Sequence, residues 1–379
     1  MRTLLRWLIL IVIIYGIWNF VSDKSNSLSL STEGNELHDS VNEDSISNVL
    51  QFISNEIGKL KSLILQTEEI LPDWNVEEDT KLSESIEKPD LITPDKQTFS
   101  IYNISIGESK QKVEELIGES KRETINEYGI SWSTYHQDYQ NFIMVGYDSS
   151  NTVVALYTNQ DLISSKDGIK LGSDKETVLD SLGDPLTELQ KGFVFYKMPD
   201  DRDYEMFLMD DSYVTIFFDK HKNNTVTAMQ IISTELEDNR DDFYVSGDEQ
   251  LKIGFEYQLF DLTNASRVNN QLHPLGWDDA VKETARDHSL DMATNNYFDH
   301  TNLDGESPFD RMLNDGIRYS IAGENLAYGQ NSSIFAHEGL MNSLGHRENI
   351  LQKDFTLLGV GVAFNEKSQP YYTENFLTK

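Results

Sequence analysis

Part of this chain is written twice, and that repeat limits what it can fold into. Ile106-Gly107-Glu108-Ser109-Lys110 returns as Leu171-Gly172-Ser173-Asp174-Lys175, with Val113 and Val178 at matching places and a second glycine, Gly118 or Gly183, closing each copy. The offset is 65 residues throughout. A fixed offset of this size implies two copies of one supersecondary unit sharing a core. Each copy reads as a short helix, with Ser109 or Ser173/Asp174 at the N-cap and Gly118 or Gly183 at the stop. Aromatic-rich alternating runs follow at 142–145, 153–157, 193–196, 213–218 and 226–231, and their period predicts strands. The expectation is a duplicated α+β module over residues 98–236. The repeated Gly-x-x-Lys lacks the rest of a nucleotide motif, so turn and capping chemistry explains it better than a phosphate loop.

The flanking segments are different in kind. Arg2 and Arg6 border an apolar run over 7–21, broken only by Gly16 and Asn19. Basic residues before such a run keep the N-terminus inside and send the rest of the chain across the membrane. The run lacks the small-residue cleavage site of a secretory signal. It therefore reads as an uncleaved single-pass transmembrane helix over 1–21; a cleaved signal and a core helix are the competing readings. Residues 22–97 form an acidic stalk, too polar to bury a core of their own. Within it Val49, Phe52, Ile53, Ile57, Leu60, Ile64 and Leu65 fall at helical spacing, which predicts an amphipathic helix near 44–70. Its apolar stripe would pack on a later domain or pair with a second copy. Residues 237–254 form a second acidic joint and read as a linker. With 64 acidic against 31 basic residues the net charge is −33, which repels nucleic acid and anionic lipid and attracts cations. The chain has no cysteine, so disulfides, thiolate metal sites and cysteine nucleophiles are excluded.

Residues 255–379 hold most of the histidines and the densest motifs. Helices are expected over 259–269, 278–295, 309–315 and 334–342, and strands over 357–364 and 371–376. Ordered pieces run through this segment: Asn264 with Arg267, Leu275 with Trp277, Ala285 to Met292, Phe298 to His300, Pro308 with Arg311, Gly323 to Asn325, Gly345 to Arg347, Asn349 to Leu351, Gly359 with Gly361, and Thr373 with Phe376. Together they resemble the CAP superfamily (SCP/TAPS, cysteine-rich secretory protein, antigen 5) in its bacterial, cysteine-free form. The duplicated segment is similar to the CAP-associated N-terminal domain found ahead of bacterial CAP domains. The fold class implied is α+β: a C-terminal CAP α/β/α sandwich with a central antiparallel sheet and a cleft, preceded by the duplicated module and the N-terminal transmembrane helix.

The resemblance also implies a site. The family cleft often holds two His and two acidic residues, and by motif His300, Glu324 and His346 occupy three of those positions as candidate catalytic residues. Ser343 stands at the second acidic position; Glu338 is close in sequence but is not the motif match. Two imidazoles and a carboxylate suit a divalent ion such as Zn²⁺, with His300 and His346 as the candidate ligands. The same groups also suit a polar network that holds loops in place, with Glu324 fixing a histidine tautomer. His288 lies on the apolar face of its helix and reads as a core imidazole. His337-Glu338 opens like a zinc-protease helix, but Met341 stands where the second ligand belongs. No Gly-x-Ser-x-Gly elbow is present. The expected function is an extracellular, membrane-anchored module at the cell surface that binds a small molecule, lipid or peptide, more a binder than an enzyme. The alternative is a metal-assisted hydrolase acting on envelope peptides or lipids.

Overall fold

The computed structural model describes residues 85–379 except Asp241. The anchor expected over 1–21 and the helix expected near 44–70 lie outside the described residues. No helix among the described residues is long and apolar enough to cross a membrane. The described residues belong to one compact unit.

The duplication is visible as hydrogen bonding. In the first copy α1 (Lys110–Ile117) precedes β2 (Arg122–Ile125), β3 (Ser131–Gln137), β4 (Gln140–Tyr147) and β5 (Val153–Thr158). In the second, α2 (Lys175–Leu182) precedes the hairpin β7 (Glu188–Lys191) and β8 (Val194–Lys197), then β9 (Tyr204–Met209), β10 (Ser212–Asp219) and β11 (Thr225–Ser233). Gly107 N donates to Val153 O at 2.8 Å and Gly172 N to Val226 O at 2.9 Å, the same bond in each copy. Ser109 caps α1 through Lys112 N, whereas Asp174 makes no side-chain cap bond. Gly118 and Gly183 end their helices at φ of 82° and 80°, a conformation that favours glycine. The strands join in one antiparallel sheet, order β2-β3-β4-β5-β11-β10-β9, beside a small pair made by β1 (Phe99–Ile101) and β6 (Ile163–Ser165). Val113 and Val178 bury the two helices against one face, among Ile143, Val145, Leu156 and Ile216.

The other face of this sheet is covered by the C-terminal domain. Trp132, Phe142, Tyr157 and Phe217 share a core with Leu262 and Ala265 of α4 (Glu249–Asn269) and Ile334 of α7 (Ser333–Asn342). The acidic joint is partly helical: α3 (Thr234–Asp238) enters it, and α4 starts ten residues before the expected 259. Asp248 accepts from Leu251 N and so caps α4, while Leu251 and Phe255 bury in the core beyond it. Part of the expected stalk is also docked. Ile86 N donates to Gln140 Oε1 at 2.9 Å, and Asn103 bonds both Asp90 O and Ile92 N.

The C-terminal domain has a four-stranded sheet, order β12 (Gly276–Trp277), β14 (Leu357–Phe364), β15 (Pro370–Thr378), β13 (Ile321–Tyr328). Only the β12–β14 pair is parallel. Side chains alternate across β14. Leu358, Val360 and Val362 face the core shared with α4 and α7, and Gly359 and Gly361 meet α5 (Asp279–Asn295). Strand β13, carrying Gly323-Glu324-Asn325, has no counterpart among the expected elements; its pairing with β15 along eight residues builds it.

Candidate functional site

The site is assembled from a loop, a strand and two short helices. The loop leaving α5 carries His300. It leads into α6 (Pro308–Asn314), started by a capping box in which Ser307 and Asp310 bond each other's main chain. From α6, Arg311 reaches back: Nη1 donates to His300 O at 2.8 Å and Glu306 O at 3.1 Å, and Nη2 to Glu324 Oε2 at 2.7 Å. Glu324, on β13, has a side chain only 1% exposed. Its other oxygen, Oε1, lies 2.9 Å from His300 Nδ1. A carboxylate at that distance accepts a hydrogen bond from Nδ1–H, so the free lone pair of neutral His300 is on Nε2. The hydrogen bond that His300 donates to Glu324 raises the pKa of His300 above its ordinary value, against a smaller opposing effect of burial.

His346 comes from α8 (Leu344–Ile350). That helix is stitched to β13: Asn325 Nδ2 donates to His346 O at 3.1 Å, and Asn349 Nδ2 donates to Glu324 O at 3.1 Å and Asn325 Oδ1 at 2.9 Å. Burial lowers the pKa of His346, and the charge of His300 lowers it further, so the two rings are within electrostatic reach. His346 Nδ1 is buried with no hydrogen-bond partner among the described residues. The three residues expected from the motifs thus gather in space. Arg311 had no expected role; its only signal was its place in the Pro308/Arg311 motif. Ser343 sits between α7 and α8; its main chain bonds Leu340 and Arg347, and its hydroxyl bonds none of the three site residues. Both Glu324 oxygens are engaged, so the carboxylate orients His300 from behind. Among the described residues no group of three or more His, Asp or Glu is disposed to hold a metal ion.

His288, His337 and several of the motif residues are scaffolding. His288 is buried and bonds Asp299 O at 3.0 Å through Nε2, which positions the residue next to His300. His337 Nε2 lies 2.7 Å from Ser266 Oγ, and burial drives its pKa down to about 3. Glu338 faces the other domain, where Tyr157 Oη donates to it at 2.6 Å. Arg267 donates to the carbonyls of His273, Ile350, Gln352 and Phe355, and Asn264 bonds both the N and O of Leu275. Several of the most diagnostic sequence pieces therefore hold loops and leave chemistry to others.

Residues 106–243 match the family described as CAP-associated N-terminal, and residues 260–376 match the Cysteine-rich secretory protein family, or CAP. The "Uncharacterized membrane protein YlbC" of Bacillus subtilis (strain 168) is 30% identical over 292 residues, spanning 72% of this chain and 82% of that protein. The chain belongs to the CAP family. A second relative, "Uncharacterized protein YkwD" of the same organism, is 42% identical over 125 residues, 33% of this chain and 48% of that protein. An extracellular protein containing a SCP domain from Bacillus anthracis str. Ames superposes with a TM-score of 0.64 at 27% identity, covering 78% of this chain and all of that one. A cysteine-rich secretory protein from Staphylococcus aureus subsp. aureus Mu50 shares the fold, with a TM-score of 0.59 at 16% identity over 72% of this chain and 91% of that one. Both expected resemblances, the CAP domain and the CAP-associated module, are borne out.

Proposed function

We propose that this CAP protein is displayed outside the cell on a membrane anchor and that it binds a ligand through His300 and His346. The observation that carries the reading is the His300–Glu324 bond of 2.9 Å, with Arg311 completing the carboxylate's bonding. It holds His300 in one tautomer, so that neutral Nε2 is an acceptor or metal ligand, while His346 Nδ1 is left without a partner among the described residues. The name of the YlbC relative and the extracellular SCP protein agree with a membrane-tethered location.

Two borderline nitrogen donors backed by a carboxylate are a donor set for a divalent cation such as Zn²⁺. A bound ion would supply Lewis acidity. The chain's own part is to orient His300 through Glu324, to keep His346 neutral by burial, and to place the Arg311 charge beside the carboxylate. With two protein ligands, the remaining positions would go to water or to the ligand itself, a small molecule, lipid or peptide. A metal-assisted hydrolase is the second reading. It draws on the same carboxylate–imidazole pair, which is the arrangement of a general base.

Isothermal calorimetry of Zn²⁺ into the full chain tests the metal. Binding heat is expected for the parent and not for His300→Ala or His346→Ala, each of which should still show a single cooperative melting transition. A parent that gives no heat ends the metal reading. Release of product from a peptide or lipid panel by the parent, lost in both variants, would favour the hydrolase over the binder.

A further inference from the structure

Away from His300, the two domains enclose a cavity of about 750 Å³. Such a volume lies in the range of ligand sites. One side belongs to the N-terminal domain, through the β7–β8 hairpin, β10 and the joint at Phe243 and Tyr244; the other to the CAP domain, through the loop at 329–331 and α7. Its walls are aromatic and mutually packed. Tyr196 stacks on Phe243 at 5.2 Å, and Phe335 meets Tyr204 and Phe217 edge-on at 5.1 and 5.2 Å. The lining side chains also carry unmet polar capacity. Gln230 Nε2, Arg240 Nε and Gln330 Oε1 are buried without a partner among the described residues, donors from one domain and an acceptor from the other. Buried polar atoms are seldom left so, because each costs free energy until something pairs with it.

The hairpin adds a second, independent observation. β7 and β8 pair only with each other among the described residues. Lys191 faces Val194 and Leu189 faces Tyr196, and Met198 N donates to Thr187 O at 2.9 Å, continuing the ladder. Antiparallel alternation then turns the main-chain N–H and C=O of Phe195 and Lys197 to the outer side of β8. The hairpin tip is apolar and open: Phe193 is 102% exposed, Phe195 57% and Val194 52%. The hairpin is nonetheless fixed in place, since buried Lys191 is paired with Glu237 of α3. An unpaired edge joined to exposed apolar side chains is a template for another strand.

We infer that the open edge of β8 and the aromatic cavity beside it receive an extended peptide of another molecule, neutral and rich in aromatic or aliphatic side chains, as an added strand. A peptide supplies both N–H and C=O along its length, which suits the outward N–H and C=O groups of the β8 edge. A sugar has no strand to add. The lining charges call for a neutral peptide. Lys197, Arg202, Lys220 and Arg240 stand against Asp201, Asp203, Glu237 and the buried Glu338, a nearly balanced set within a chain whose net charge is −33.

Fluorescence anisotropy on the full chain tests this, with a fluorescein-labelled hexapeptide alternating threonine and phenylalanine as the probe. The parent is expected to bind it. Methylating alternate amide nitrogens of the probe, which blocks strand pairing, should weaken binding at least tenfold. Lys197→Pro removes one outward N–H and should have the same effect, whereas Lys197→Ala keeps that N–H, removes only a lining charge, and should weaken binding by about twofold or less. Phe195→Ser should weaken it tenfold, and His300→Ala not at all. If Lys197→Pro lowers the melting temperature, the methylated probe decides the matter alone. Parent protein that ignores the hexapeptide, binds the methylated probe equally well, or prefers a six-sugar cello-oligosaccharide would overturn the inference.

Discussion

Glu324 determines what the two site histidines can do. Its carboxylate is fully engaged, by Arg311 on one oxygen and His300 on the other, so the two imidazoles sit in opposite electrostatic settings. His300 gains a partner for its charged form and titrates above 6.5; His346 is half-buried beside it and titrates below. Histidine-labelled NMR across the pH range should show that order. In Glu324→Gln, the His300 titration should move down while His346 shifts less. Coincident titrations in the parent would remove the argument for a carboxylate-oriented His300. The stability linked to His300 is fully present below pH 6.5 and is lost as pH rises through its elevated folded value. Because the ring is 52% exposed, solvent screening keeps that contribution under about 1 kcal/mol. Zn²⁺ affinity should run the other way, strengthening as His300 loses its proton.

Among the elements, the contact between α5 and β14 tolerates the least change. A Cβ on Gly361 would lie 2.1 Å from Arg286 N, and one on Gly359 2.3 Å from Lys282 N, both immovable main chain. Gly361→Ala must push the helix off the sheet, at a cost of about 1–3 kcal/mol or more. Gly339, in the middle of α7, meets nothing within 4 Å, so Gly339→Ala should stabilise by about 0.5–1 kcal/mol through helix propensity. Denaturant midpoints of the two variants moving in the same direction would refute this packing account. The Gly359/Gly361 pair was legible in the sequence as a motif, although its reason, close helix approach, was not. Val113 and Val178 were legible for a stronger reason: the repeat made each confirm the other. Strand β13 was not legible, since glycine, glutamate and asparagine at 323–325 are poor strand formers. Its register comes from β15, some fifty residues away, and tertiary pairing overrode local preference. The start of α4 was hidden in the same way, because the acidic composition around 248–249 looks like linker when its role is to cap a helix.

At the scale of the whole molecule the two domains share a core and also share the support of the site. Asn342, one residue before Ser343, bonds Phe218 O, Lys220 N and His221 Nε2 of the N-terminal domain, and Arg347 of α8 pairs with Asp219 at 3.0 Å. The helix that presents His346 is therefore held partly by the other domain, which explains why His221, scattered in the sequence, lies at this joint. Deeper in the same interface, Tyr157 donates to Glu338, and burial raises the Glu338 carboxyl to about 7 from an ordinary 4.5. The folded state thus holds a proton that the unfolded chain releases above pH 4.5. Stability from this group is fully present below that value and falls as pH rises through about 7. Glu338→Gln keeps an acceptor for Tyr157 and cannot ionise. It should match the parent at about pH 4.5 and exceed it at about pH 8 by up to about 3 kcal/mol, the free energy of a shift of that size. Chemical denaturation of both proteins at the two pH values checks this; a constant difference between them would mean that Glu338 keeps an ordinary pKa and that water reaches the interface.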